Sequence, residues 1–211
     1  MTSHTHKTSP LLPRAIRVTR FRSFRRETYL ELRPLTLLYG DNNSGKSALL
    51  RVLPLLAGSI QGAHGPLDPN SGSVADQTSF ANLVWHGAQD EEDEDGALVI
   101  GLDWDTPEAP VRAEYRLKRH SSTDRLLSKQ PIVDQLTLWN TASGASPTWS
   151  VQHIPSRRDD TPAPGLNYAL HDNTKVRLSF PGLQVEVQSG ELLNQQGIQH
   201  LNTRLKQFGD A

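Results

Sequence analysis

At 211 residues the chain can bury one sizeable core, or one core with a small subdomain, and its 36% hydrophobic share is low for a compact globule. A formal net charge of -1 removes any bulk electrostatic argument for nucleic-acid or membrane binding, and the absence of cysteine excludes disulfides, thiolate zinc sites and iron–sulfur ligation. No apolar run approaches the ~20 residues that span a bilayer, and the polar opening lacks a signal-peptide core, so a soluble, cytoplasmic protein without a membrane partner is expected.

Residues 1–13 read as a disordered leader. Charge is uneven beyond it: Arg14, Arg17, Arg20, Arg22, Arg25 and Arg26 crowd the first part, whereas residues 90–95 are an unbroken acidic run. Such a run reads as a solvated hairpin tip, because like charges packed closely repel and stay hydrated. Ala15-Ile16-Arg17-Val18-Thr19-Arg20-Phe21 alternates apolar and polar residues, predicting a half-buried strand, and Tyr29-Leu30-Glu31-Leu32 predicts a second. After Pro34, Leu35-Thr36-Leu37-Leu38-Tyr39 has the continuous apolar character of a fully buried strand.

Next comes Gly40-Asp41-Asn42-Asn43-Ser44-Gly45-Lys46-Ser47, which fits the phosphate-loop pattern G-x-x-x-x-G-K-[ST]. Gly40 and Gly45 allow backbone conformations and close approach that a Cβ would block. Asp41, Asn42, Asn43 and Ser44 mainly offer backbone donors to nucleotide phosphates. Lys46 brings a point charge to the terminal phosphates, the catalytic contribution expected of this loop, and the Ser47 hydroxyl can ligate Mg²⁺. The cofactors so implied are ATP and Mg²⁺. Apolar, helix-favouring residues follow to Leu56, with Pro54 set to kink or end the helix.

Residues 58–75, rich in Gly, Pro, Ser and Asn, read as a loop. Residues 97–104, 111–117, 132–139, 148–153, 176–180 and 183–187 alternate in strand fashion, with turn residues between them. They predict an antiparallel, hairpin-rich lobe. Residues 156–166 read as a polar loop, and residues 191–208 carry a helical pattern capped by Ser189. The expected organisation is a leader (1–13), a strand–loop–helix core (14–58), a loop-rich connection (59–96), a β-rich lobe (97–188) and a C-terminal helix (189–211).

Phe21-Arg22-Ser23-Phe24, Leu32-Arg33-Pro34-Leu35-Thr36-Leu37-Leu38-Tyr39 and the loop that follows resemble the opening of ABC-type ATPase heads of the SMC, RecF and OLD-like class, including ATPases of phage-defence operons. The match covers residues 15–56. It implies an α/β P-loop NTPase fold, ABC-ATPase-head-like, as an N-terminal lobe with an inserted antiparallel β-rich lobe. It also implies a homodimer or head–head assembly around ATP, a second subunit, and DNA as a partner by resemblance alone. In such heads the basic residue of the first cluster lies near the nucleotide, which makes Arg22 either a phosphate or ribose contact or a solvated strand-end arginine. Asp76-Gln77-Thr78-Ser79-Phe80 resembles a further segment of the class, so Gln77 is either a sensor of Mg²⁺ and water or an ordinary polar residue at a helix start.

A hydrolytic head also needs a Walker B strand and a signature motif. Ala97-Leu98-Val99-Ile100-Gly101-Leu102-Asp103 imitates the first, but Trp104 stands where a catalytic Glu is expected. Ser189-Gly190-Glu191 imitates part of the second, with no acidic strand after it. The chain therefore reads as half of an ATPase head, an ATP- and Mg²⁺-binding lobe coupled to nucleic-acid maintenance or phage defence, with the missing elements supplied elsewhere. The alternative is a regulatory module that binds the nucleotide without hydrolysing it. No Asn-Lys-x-Asp motif supports a GTPase, and the strands that follow the loop do not suit a small-molecule kinase.

Overall fold

The alternating segments become strands of a single sheet. A computed structural model describes residues 12–62, 65–70, 79–85, 87, 96–106, 110–119, 131–140, 146–155, 165–190 and 194–210. In chain order it contains β1 (Ala15–Thr19), β2 (Thr28–Glu31), α1 (Lys46–Leu50), α2 (Val52–Gly62), α3 (Phe80–Leu83), β3 (Leu98–Asp103), β4 (Arg112–Arg119) and β5 (Pro131–Trp139). There follow β6 (Trp149–His153), β7 (Leu166–Leu170), β8 (Lys175–Ser179), a 3-10 turn (Pro181–Leu183), β9 (Glu186–Ser189) and α4 (Gln195–Asp210). The strand order is β2-β1-β3-β4-β5-β6-β7-β8-β9, so the chain meanders except where β1 reaches across to β3.

The period of two sorts side chains between the faces. In β4, Ala113, Tyr115 and Leu117 are buried, while Arg112, Glu114, Arg116 and Lys118 lie on the other face. That face is a charged ladder. Arg17 donates to Asp103 at 2.7 Å, Arg112 approaches Glu114 at 2.6 Å, and Lys118 approaches Asp134 at 3.0 Å. The apolar face shares one buried cluster with Leu55, Leu56 and Ile60 of α2 and with Ile198, Leu201 and Leu205 of α4. Two buried phenols brace this face: Tyr115 donates to the Leu183 carbonyl of the 3-10 turn at 2.9 Å, and Tyr168 of β7 to the Val133 carbonyl of β5 at 2.7 Å.

Gly182 brings the 3-10 turn onto α2. Its φ is +56°, and a Cβ there would lie 2.4 Å from Ile60 Cα and 2.5 Å from the Ser59 carbonyl oxygen. The first helix does break, at Arg51, and Pro54 falls in the opening turn of α2, where its missing N–H removes only one bond. The helix then runs on to Gly62, past the start expected for the loop. Asn194 rather than Ser189 caps α4, accepting from the Gly197 amide at 3.2 Å, because Ser189 pairs with Arg177 in the sheet.

The α/β P-loop NTPase fold is overturned. Every strand pairing among the described residues is antiparallel, within one sheet of nine strands. Residues 35–39 form no strand, although their composition suits one. β2 and β3 already occupy both edges of β1, and the chain leaves the sheet after Leu32, whose amide donates to the Arg14 carbonyl. A buried central strand needs neighbours on both edges, and residues 35–39 have none. Among the described residues no helix is long and apolar enough to cross a membrane.

Candidate phosphate-binding site

The phosphate loop is a turn held together by its own lysine. Gly40, Asn43 and Gly45 all have positive φ, at 151°, 70° and 87°. Right- and left-handed residues in succession turn consecutive N–H groups toward one concave side, the arrangement that binds anions. The Ser44 amide donates to the Asp41 carbonyl at 3.2 Å. Among the described residues, none accepts from the amides of Asn42, Asn43 and Gly45. The Lys46 ammonium donates to the carbonyls of Gly40 at 2.6 Å and Asp41 at 2.5 Å, and to Ser44 Oγ at 3.3 Å. All three of its protons are thereby directed into the loop. Ser47 follows as an exposed residue of α1.

A second turn supports the first. A Cβ on Gly45 would meet Phe24 Cζ at 2.6 Å and Ser23 Oγ at 2.9 Å, so glycine is required there for packing as well as for its φ. Phe21 and Phe24 exchange backbone hydrogen bonds at 3.0 and 2.8 Å. Arg20 and Arg22, on either side of Phe21, both have positive φ, at 58° and 50°. A side chain in that region costs about 1–2 kcal/mol, so the surrounding contacts must hold the turn. They do: the Arg22 amide donates to the Leu83 carbonyl at 2.8 Å, and the Trp85 amide to that of Arg20 at 2.9 Å. Phe21 is buried, and Arg25 lies over the Trp85 ring at 5.2 Å.

The local field is positive. Arg22 Nε is buried and has no hydrogen-bond acceptor among the described residues. Burial first, and the charge of Arg51 second, push the Arg22 guanidinium below its ordinary range. Two cations held together in this way favour an incoming anion. Arg22 thus sits beside Ser23 and Phe24, which touch the loop, whereas Gln77 lies outside the described residues. Sequence reasoning missed Arg51, and it singled out Ser23 and Phe24 only as part of the resembling cluster, without their packing against Gly45. The only signal for Arg51 is its place four residues after Ser47, on the same helical side.

The arrangement fits polyphosphate: amides without acceptors among the described residues, glycines in the left-handed region and flanking cations are the groups such an anion needs. It fits Mg²⁺ only through Ser47, and that is compatible with an ion held mostly by phosphates and water. The Walker B imitation resolves differently. Asp103 is a rung of the charged ladder, paired with Arg17, and Trp104 is buried with its ring 5.4 Å from the Arg204 guanidinium. Neither a protein-family model nor a curated protein matches the chain.

Proposed function

We propose that this chain binds the polyphosphate of ATP, with Mg²⁺, on residues 40–47. The observation that carries the reading is the loop itself, with Lys46 folded over its carbonyls while the amides of Asn42, Asn43 and Gly45 have no acceptor among the described residues. On binding, the Lys46 ammonium exchanges those carbonyls for phosphate oxygens, and the amides supply further donors. Arg22 and Arg51 add positive charge at the margin. Mg²⁺ on Ser47 and the phosphates would neutralise charge that develops during phosphoryl transfer.

The resemblance to SMC, RecF and OLD-like ATPases supports a role in nucleic-acid maintenance or phage defence, in the cytoplasm. On that reading the activating carboxylate and the signature motif come from residues outside this sequence or from a partner polypeptide. Binding without hydrolysis is the second reading, and the engagement of Asp103 with Arg17 favours it, because that carboxylate serves the sheet.

Calorimetric titration of ATP and Mg²⁺ into wild type and Lys46→Ala tests the proposal. An affinity loss of tenfold or more is expected, about 1.4 kcal/mol or greater. Equal affinity overturns it. Turnover by the chain alone, abolished in Lys46→Ala, would remove the second reading.

A further inference from the structure

A second concave site lies away from the phosphate loop, where β5, β6 and β7 end against the start of α4. β1, β3 and β4 separate those strands from β2, which leads to the loop. The cavity holds about 380 Å³, at the small end of the ~300–1,000 Å³ usual for ligand pockets. Strand register builds it. β5 pairs with β6 at Leu138 and Trp149, and β6 with β7 at Val151 and Leu170, so the residues just beyond these pairs meet at one place. The Asn140 amide donates to Thr148 Oγ1 at 3.0 Å and the Thr148 amide to the Leu138 carbonyl at 2.8 Å, which fixes one flank. Asn194, the cap of α4, lines another, with its Oδ1 engaged by the Gly197 amide.

Two polar atoms in this lining have no partner. Trp149 is only 9% exposed, yet its indole Nε1 is buried with no acceptor among the described residues. Asn140 Oδ1 is likewise buried with no donor among them. A buried donor and a buried acceptor left unmade are costly, and native proteins rarely keep them without a reason. One water would not fill the space, because a water occupies about 30 Å³. Further polar groups surround the pair. Thr148 Oγ1, which accepts from Asn140, keeps its own proton to donate, and Asn194 retains its Nδ2 donor. Asp172 is exposed at the rim, and the hydrogen bond from the Thr174 amide at 3.0 Å holds its carboxylate below the ordinary range. Leu170 and Pro147 add apolar surface. Neither lysine nor arginine is among the described residues that line the cavity, and the carboxylate repels a phosphate.

We propose that this pocket binds a neutral, polyhydroxylated ring of the pyranose sugar class. The orphaned atoms require a ligand that accepts from an indole N–H and donates to an amide oxygen, and a hydroxyl does both. Donors and acceptors come from three strand ends and a helix cap. Hydroxyls set around a ring match such a distribution, whereas a flat nucleobase presents its groups in one plane. The C–H face of the ring packs on Leu170 and Pro147. Neither orphaned atom is open to solvent in the empty pocket, so the Asn140 and Trp149 side chains turn toward the sugar as it seats. The site is separate from the phosphate loop and stands or falls without it.

The indole N–H signals of the ¹⁵N-labelled full-length chain, which has four tryptophans, read occupancy directly. Trp149→Phe assigns the Trp149 signal; should that variant not fold, the same change at Trp85, Trp104 and Trp139 assigns it by elimination. The probes are methyl β-glucopyranoside, methyl β-galactopyranoside, methyl α-mannopyranoside and N-acetylglucosamine. At least one is expected to move the Trp149 signal saturably in the millimolar range while the Trp85 signal stays in place. Asn140→Ala and Asp172→Ala should each weaken that sugar about threefold to tenfold, the loss of one hydrogen bond, with an unchanged circular dichroism spectrum. Lys46→Ala should bind it as wild type does. A Trp149 signal that no sugar moves, equal affinity in both Asn140→Ala and Asp172→Ala, or tighter binding of adenosine or inorganic phosphate than of every sugar would each overturn the proposal.

Discussion

The phosphate loop depends on single atoms, and Gly45 shows it most directly. A methyl group at that position collides with Phe24 Cζ and Ser23 Oγ and strains a φ of +87°. Gly45→Ala should therefore lower ATP affinity about tenfold while the sheet stays folded. Calorimetry beside circular dichroism reads both effects, and retained affinity would deny Gly45 its role. Elsewhere the decisive atoms are buried phenols. Burial drives Tyr115 far above its ordinary range, and burial with the Asp134 charge does the same to Tyr168. Unfolded tyrosines ionise near pH ~10 while these two stay neutral. Their contribution to stability is complete below that pH and is lost as pH rises beyond it, by up to about 1.4 kcal/mol per pH unit for each phenol. Urea unfolding across the alkaline range should show the fall. Tyr115→Phe should make it shallower and remove about 1 kcal/mol at neutral pH by leaving the Leu183 carbonyl unpaired. An unchanged alkaline slope in that variant would refute the linkage.

Elements were legible where a local period fixes them, and obscure where a neighbour decides. Alternation gave β3 to β6 and β8 to within a residue or two, because one face is apolar and the other mostly polar or charged. β7 alternates equally well through Leu166, Tyr168 and Leu170, but the proline-rich stretch before it hid its start. Residues 183–187 split between a 3-10 turn and β9, since Gly182 must sit against the backbone of α2, a contact invisible in one dimension. Gly182→Ala tests that contact. The added methyl meets Ile60 Cα and the Ser59 carbonyl, which belong to a helix backbone and cannot rotate away. Denaturant unfolding should show a loss of about 2–3 kcal/mol, in the range for overpacking combined with a strained φ. A loss under about 0.5 kcal/mol, the size of an ordinary surface change, would mean that α2 and the 3-10 turn are not in close contact.

The fold class failed in the sequence reading for a reason that belongs to the whole molecule. Residues 35–39 carry the pattern of a buried strand, yet such a strand needs neighbours on both sides, and among the described residues they pair with no strand of the sheet. The motif could be read locally; its seat could not. The same topology sets how the chain should fold. β3 to β9 pair in sequence, each strand with the next, so most of the ladder forms by short-range closure. The pairing of β1 with β3 is different: Arg17 and Asp103 bond across 86 positions. Closing that long loop carries an entropy penalty that rewards folding only after β3 has a sheet behind it. The meander should therefore form the transition state, with β1 and β2 docking late. Leu136→Ala in β5 is expected to slow folding, whereas Ile16→Ala in β1 should chiefly accelerate unfolding, both residues being fully buried and so destabilised enough to measure. Stopped-flow chevrons of the two variants decide it. If Ile16→Ala slows folding as much as Leu136→Ala does, the long-range strand is in place early, and the N-terminal turn that supports the phosphate loop forms with the sheet rather than after it.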